Sequence, residues 1–197
     1  AKQLGVVRIA IEHNSTTTLE LADDLTKRFG LKEAQVAPGP QSGSNSEARR
    51  AVGIVAAGFL ARIALANQPI TVGLGWGRTL GQMADNLVGV TNPDITFVSL
   101  TGLLNRADPT QPVDVCVRLA ALTSGKANLL PAPFVVDDKD ACDIILNQRL
   151  VKETLETARG ADYAITSVGE CRNGAVLFES GLFTDQQIDQ LRDNKVV

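Results

Sequence analysis

The sequence predicts an α/β domain in which a mainly parallel sheet carries helices on both faces. Two observations carry that expectation. Short β-rich runs alternate with helical segments along the chain, the pattern that builds parallel sheets. The strand segments, such as "ITVGL" and "DITFVSL", are continuous apolar runs, as strands covered on both faces should be. The chain has 197 residues, 44% of them hydrophobic, enough to fill one core, so a single domain spanning residues 1–197 is expected.

The elements follow in order. "VVRIAI" (6–11) reads as a strand. Residues 15–30 read as a helix, with capping-box spacing at Thr17 and Glu20 and a stop at Gly30. "EAQVAPG" (33–39) reads as a weaker strand ending in a Pro-Gly turn. Ser44 and Glu47 open a long helix through about Asn67, marked by Val52, Val55, Phe59 and Ile63 at helical spacing. Strands follow at 70–74 and 94–100, with a helix at 79–89 between them. Pro112 suits the first turn of a helix over 112–125. A strand over 126–133, a helix over 147–160, a strand over 162–169 and a last helix over 184–194, with a Thr-x-x-Gln start, complete the pattern.

Composition excludes several classes. Charged residues make up 21% and the net charge is −3, without the basic excess of a nucleic-acid-binding surface. No apolar run approaches the roughly 18 residues of a membrane span, and "AKQLGVVRIA" has no signal-peptide core. The three cysteines, Cys116, Cys142 and Cys171, lack metal-ligand spacing, which points to a reducing, cytoplasmic setting. No motif calls for a cofactor.

The most informative stretch is "ITVGLGWGRTLGQMA" (70–84), where a strand breaks into a glycine turn and resumes as a helix. Ligands of open α/β sheets bind beyond the carboxyl ends of the strands. Gly75 and Gly77 let backbone N–H groups turn toward one point. The helix beginning near Thr79 adds a partial positive end. Arg78 can add a fork of charge-assisted hydrogen bonds and Thr79 a hydroxyl. Together these suit a phosphate monoester. The plainer reading is a tight strand-to-helix turn. The Gly-Lys-Ser/Thr ending of a Walker loop is missing, and Leu80 stands where a dinucleotide fingerprint needs its last glycine.

Other strand ends offer further candidates. Thr101, Gly102 and Asn105 follow the strand at 94–100 and would lie beside the glycine turn if the two strands are parallel; their reading is hydroxyl recognition or an ordinary turn. Gly169 and Glu170 end the strand at 162–169, with Glu170 either an acceptor for sugar hydroxyls or a solvated carboxylate. Trp76 can stack on a ligand, wall the site or pack an internal contact. His13, the single histidine, reads as a surface residue more readily than as a ligand contact. Asp137, Asp138 and Asp140 fit no metal-binding spacing and suit solvated charges and a helix cap.

The segments "GLGWGRTL", "FGLKEAQVAPG", "NLLPAPFVVDD" and "ESGLFTDQQIDQLRDNKVV" together resemble the effector-binding domain of SorC-family (SorC/DeoR-type) bacterial transcriptional regulators, from about residue 6 to the end. The resemblance implies a Rossmann-like sheet similar to the sugar-phosphate isomerase and deaminase (CoA-transferase-like) fold. It implies a phosphorylated sugar bound at Gly75–Thr79, and tips Gly169 and Glu170 toward function. It implies a helix-turn-helix ahead of this domain, not found in this sequence, through which a longer regulator binds operator DNA as a dimer or tetramer. The family also continues past the position of Val197, and tends to have two adjacent glycines where this chain has Gly102-Leu103.

An enzyme on the same fold, a sugar-phosphate isomerase or deaminase, is the alternative. It would need a positioned acid/base pair. The Asp-Gly-Ala-Asp-Glu and Lys-Gly-x-Gly-Gly segments of ribose-phosphate isomerases are absent, and "SVGECRNGAVLF" lacks the histidine of the deaminases. A non-catalytic sensor is therefore expected.

Overall fold

The computed structural model describes residues 16–39, 43–65, 69–103, 112–169 and 183–194. Within them lie α1 (Thr16–Phe29), α2 (Asn45–Ala64), β1 (Ile70–Leu74), α3 (Arg78–Asn86), β2 (Ile95–Ser99), α4 (Pro112–Thr123), β3 (Lys126–Asn128), α5 (Lys139–Leu146), α6 (Arg149–Arg159), β4 (Tyr163–Ile165) and α7 (Asp185–Asp193). The four strands form one sheet in the order β3-β2-β1-β4, and every pairing is parallel.

The strand order determines where a site can form. From β1 the chain steps to β2 and on to β3, then crosses back to place β4 on the other side of β1. Parallel crossovers are right-handed almost without exception. The first two crossovers therefore lay α3 and α4 on one face, where they touch each other, and the return crossover lays α6 on the opposite face. Side chains agree with this. Ile95 and Phe97 are buried in the main core with β1, α2, α3 and α4, whereas Val98, pointing the other way along β2, is buried outside that cluster. The direction of winding reverses between β1 and β4, and such a switch point opens a crevice at the carboxyl edge of the sheet.

The predicted α/β architecture is present, with local differences. The segment 33–39 has no regular secondary structure and pairs with no strand among the described residues. Its β-propensity gains nothing without a sheet edge to join. The strand expected over 126–133 is a strand only at Lys126–Asn128, with one isolated parallel bridge from Pro133 to Leu103, and the one over 162–169 only at Tyr163–Ile165. α1 already begins at Thr16, so Thr17 lies inside its first turn and not at its cap. Ser44 does cap α2, its hydroxyl accepting from the Ser46 N–H, but that helix ends at Ala64. α5 was not expected; Asp138 caps it by accepting from the Ala141 N–H at 2.8 Å, which gives the acidic cluster the capping role its position suggests. The capping box at Thr184 and Gln187 forms as the sequence predicts. The strand expected at 6–11, His13 and Cys171 lie outside the described residues.

Phe97, Leu74, Val72 and Met83 are fully buried at the centre of the core. Cys116 is buried with them, and desolvation pushes its thiol up to about 12, so it stays protonated and unreactive in the folded protein. Phe97→Ala should cost about 3–5 kcal/mol of stability in urea unfolding, the usual loss for an emptied aromatic site. Val117→Ala, on the exposed side of α4, should change stability by no more than about 0.5 kcal/mol.

Candidate ligand site at the carboxyl edge of the sheet

β1 is the strand hydrogen-bonded on both sides where the winding reverses, and its exit is held from both neighbours. The Gly75 N–H donates to the Ile165 carbonyl at the end of β4, and the Leu100 N–H, just past β2, donates to the Leu74 carbonyl, both at 2.9 Å. The chain beyond is clamped from the β4 side. A Cβ on Gly75 would lie 2.7 Å from Thr166 Oγ1, and one on Gly77 would collide with Ser167 Oγ. Ser167 Oγ donates to the Trp76 carbonyl at 2.8 Å. Gly77 has φ +140°, a conformation that L side chains rarely adopt, and it stands at the N-cap of α3. Glycine is therefore required here by both space and backbone angle.

The consequence is a row of unsatisfied donors. Gly81 makes the first helical bond, to the Gly77 carbonyl. Among the described residues, none accepts a hydrogen bond from the backbone N–H groups of Trp76, Gly77, Arg78, Thr79 or Leu80. A helix N-terminus leaves such groups open, and with its dipole it attracts an anion. Gly77 has no side chain with which to cap them.

The neighbouring loop comes close, as the parallel pairing of β1 with β2 requires. Gly102 is buried against the carbonyls of Ala132 and Pro133, too close to admit a Cβ. Leu103 exchanges hydrogen bonds of 2.8 Å with Ala132 and Phe134. This contact brings the segment after β3 across to the glycine turn, where Phe134 packs on Trp76 with ring centroids 5.7 Å apart. Thr101 Oγ1 is buried with no hydrogen-bond partner among the described residues.

The predicted site residues thus fall into three groups. Gly75, Trp76, Gly77, Arg78 and Thr79 form one turn, with Thr101 and Gly102 on the adjacent strand end. The Arg78 side chain is exposed and lines a groove between α2, α3 and α4. Gly169 is exposed, with nothing within 4 Å of where its Cβ would be, so among the described residues no packing draws it to the turn. Asn105 and Glu170 lie outside the described residues. Sequence reasoning missed Thr166, Ser167 and Phe134. The first two act through the β1–β4 register, which no local motif encodes; Phe134 sits in the quoted stretch "NLLPAPFVVDD", but its pairing with Trp76 is non-local. Among the described residues, no group of three or more His, Cys, Asp or Glu side chains could hold a metal, and no helix is long and apolar enough to cross a membrane.

A parallel sheet with a donor-rich glycine turn at its switch point defines a small-molecule-binding α/β domain. Residues 13–197 match the family model described as "putative sugar-binding domain". The chain belongs to that family, the sugar-binding domain of SorC/DeoR-type transcriptional regulators. It is 28% identical over 187 residues to the erythritol catabolism regulatory protein EryD of Brucella abortus, covering 95% of this chain and 58% of that protein. Among solved structures, it is similar to a DeoR family transcriptional regulator from Listeria monocytogenes, with 26% identity, a TM-score of 0.78, and coverage of 90% of this chain and 68% of that one. The full-length sorbitol operon regulator SorC from Klebsiella pneumoniae shares the fold, with a TM-score of 0.81 at 23% identity over 98% of this chain and 62% of that one. The chain therefore spans about three-fifths of the length of EryD and SorC. These relatives are regulators and not enzymes, in agreement with the expected non-catalytic domain.

The clamp on the turn has a direct test. Ser167→Ala should cost about 1 kcal/mol through its lost hydrogen bond. Gly77→Ala should cost about 1–3 kcal/mol through strain. In the double variant the two losses should sum to more than the measured loss, because removing the hydroxyl makes room for the methyl. A urea-unfolding double-mutant cycle reads this coupling; strictly additive losses would contradict the clamp.

Proposed function

We propose that residues 1–197 form the effector-sensing domain of a sugar-responsive transcriptional regulator, with a phosphorylated sugar as the effector. The observation that carries this reading is the run of five open backbone N–H groups from Trp76 to Leu80, held at the switch point of the sheet. A phosphate monoester supplies acceptor oxygens and negative charge where donors and helix dipole lack a partner. Thr79 adds a hydroxyl, and Arg78 supplies a guanidinium that reaches the phosphate by turning from the groove it lines. Trp76 and Phe134 offer an apolar wall for the sugar face. Thr101, Gly102 and Asn105 are assigned to hydroxyl recognition from the β2 side, and Gly169 and Glu170 to the β4 side.

DNA binding is assigned to a separate N-terminal domain of a longer protein, consistent with the acidic balance of this chain. Bacterial operators are commonly symmetric, so the regulator is expected to act as a dimer or tetramer in the cytoplasm. For sensing, the sugar phosphate must bind one arrangement of the regulator more tightly than another, and DNA and effector then alter each other's affinity by the same factor.

A thermal-shift panel of sugar phosphates beside the free sugars tests the assignment. A phosphorylated sugar should stabilise the chain, by about 2.7 kcal/mol at a hundredfold excess over its dissociation constant, and its free sugar should not. Equal stabilisation by both would exclude the phosphate cradle. In calorimetry, Arg78→Ala should weaken binding of the stabilising sugar phosphate by about 1.5–3 kcal/mol while leaving the unfolding midpoint nearly unchanged. Unchanged affinity would remove Arg78 from the site.

A further inference from the structure

A groove of about 800 Å³ is lined by α3 and by the first two turns of α2 and α4. Its volume falls within the range of small-molecule sites. Three arginines line it, Arg49 and Arg50 from α2 and Arg78 from α3, and none of the three has an ion pair or side-chain hydrogen bond among the described residues. The fourth, Arg118 of α4, is bound by two carboxylates, Asp85 and Asp114. The contact with Asp85 ties α3 to α4, and the two carboxylates more than neutralise Arg118, so the wall is built without using the other three cations. Glu47 is the one further carboxylate, so four arginines face three carboxylates in the groove, and the unpaired guanidinium groups gather at the end formed by Arg49, Arg50 and Arg78. Arg49, Arg50 and Arg78 all lie in the first two turns of their helices, where the macrodipole adds to the same sign of potential.

Unpaired guanidinium groups held at close quarters repel one another, and a protein of net charge −3 has carboxylates with which to relieve that repulsion, as it does at Arg118. Guanidinium groups also match phosphoryl oxygens in geometry. We infer that this groove is a second anion site, specific for a small ligand bearing more than one phosphoryl charge, which adjoins the sugar site at Arg78 but rests on Arg49 and Arg50. The inference stands on Arg49 and Arg50 and does not depend on the cradle at Trp76–Leu80.

Inorganic pyrophosphate, which has the charge and no sugar, is the probe. Titrated calorimetrically into the 197-residue chain at low ionic strength, it should bind. Arg49→Gln/Arg50→Gln should weaken that binding at least about tenfold, the equivalent of one charge-assisted hydrogen bond. Arg50→Gln alone, at an exposed position, should weaken it in the same direction and covers the case in which the double variant unfolds. Saturation with a stabilising sugar phosphate, which draws Arg78 to the cradle, should weaken pyrophosphate binding without abolishing it, and both variants should keep their response to that sugar phosphate. Absence of pyrophosphate binding, equal binding by wild type and variants, or its abolition by the sugar phosphate would each overturn the proposal. A sugar phosphate that fails to bind while pyrophosphate binding depends on Arg49 and Arg50 would defeat the cradle and leave the groove standing.

Discussion

There is no room for a side chain where β1 leaves the sheet, and the rest of the site follows from that restriction. β1 is paired on both edges, so the chain beyond Leu74 must turn between the ends of two neighbouring strands. Thr166 and Ser167 press on it from the β4 side. Only glycine at 75 and 77 lets the backbone pass and then enter a helix at Arg78. The same omission of side chains removes any internal cap, so among the described residues the N–H groups from Trp76 to Leu80 stay open. Packing thus produces the chemistry: the close approach that demands glycine also leaves the donors that an anion needs.

The sheet order gives this turn its place. Because the winding reverses beside β1, helices recede to opposite faces there and the carboxyl edge is left open. The β2 side is closed by a different device. Gly102 lies against the carbonyls of Ala132 and Pro133, and the bridge from Leu103 to Phe134 brings an aromatic ring onto Trp76. One wall is therefore polar, from Thr166 and Ser167, and another is aromatic.

Much of this was legible in the chain itself. β1 and β2 announce themselves as apolar runs because they are buried on both faces, and "GLGWGRTL" carries its turn, its helix start and its donors within eight residues. Thr184 and Gln187 signal their capping box equally plainly. What escaped has a common cause in long-range contact. Thr166 and Ser167 matter through a pairing with residues about ninety positions earlier, and Phe134 through a partner in another loop. The segment 33–39 has strand-like composition but finds no edge to pair with among the described residues. α5 has no buried residue, so no apolar stripe marked it, although its Asp138 cap was readable as such.

Backbone amide shifts test the central account most directly. In a ¹⁵N-resolved titration of the chain with the sugar phosphate that stabilises it, the amides of Trp76, Gly77, Arg78, Thr79 and Leu80 should move most, and the unphosphorylated sugar should leave them in place. If the largest movements instead fall on Arg49, Arg50 and Gln82 in the helical groove, with the amides from Trp76 to Leu80 unmoved, the open donors at the exit of β1 are not where the phosphate binds.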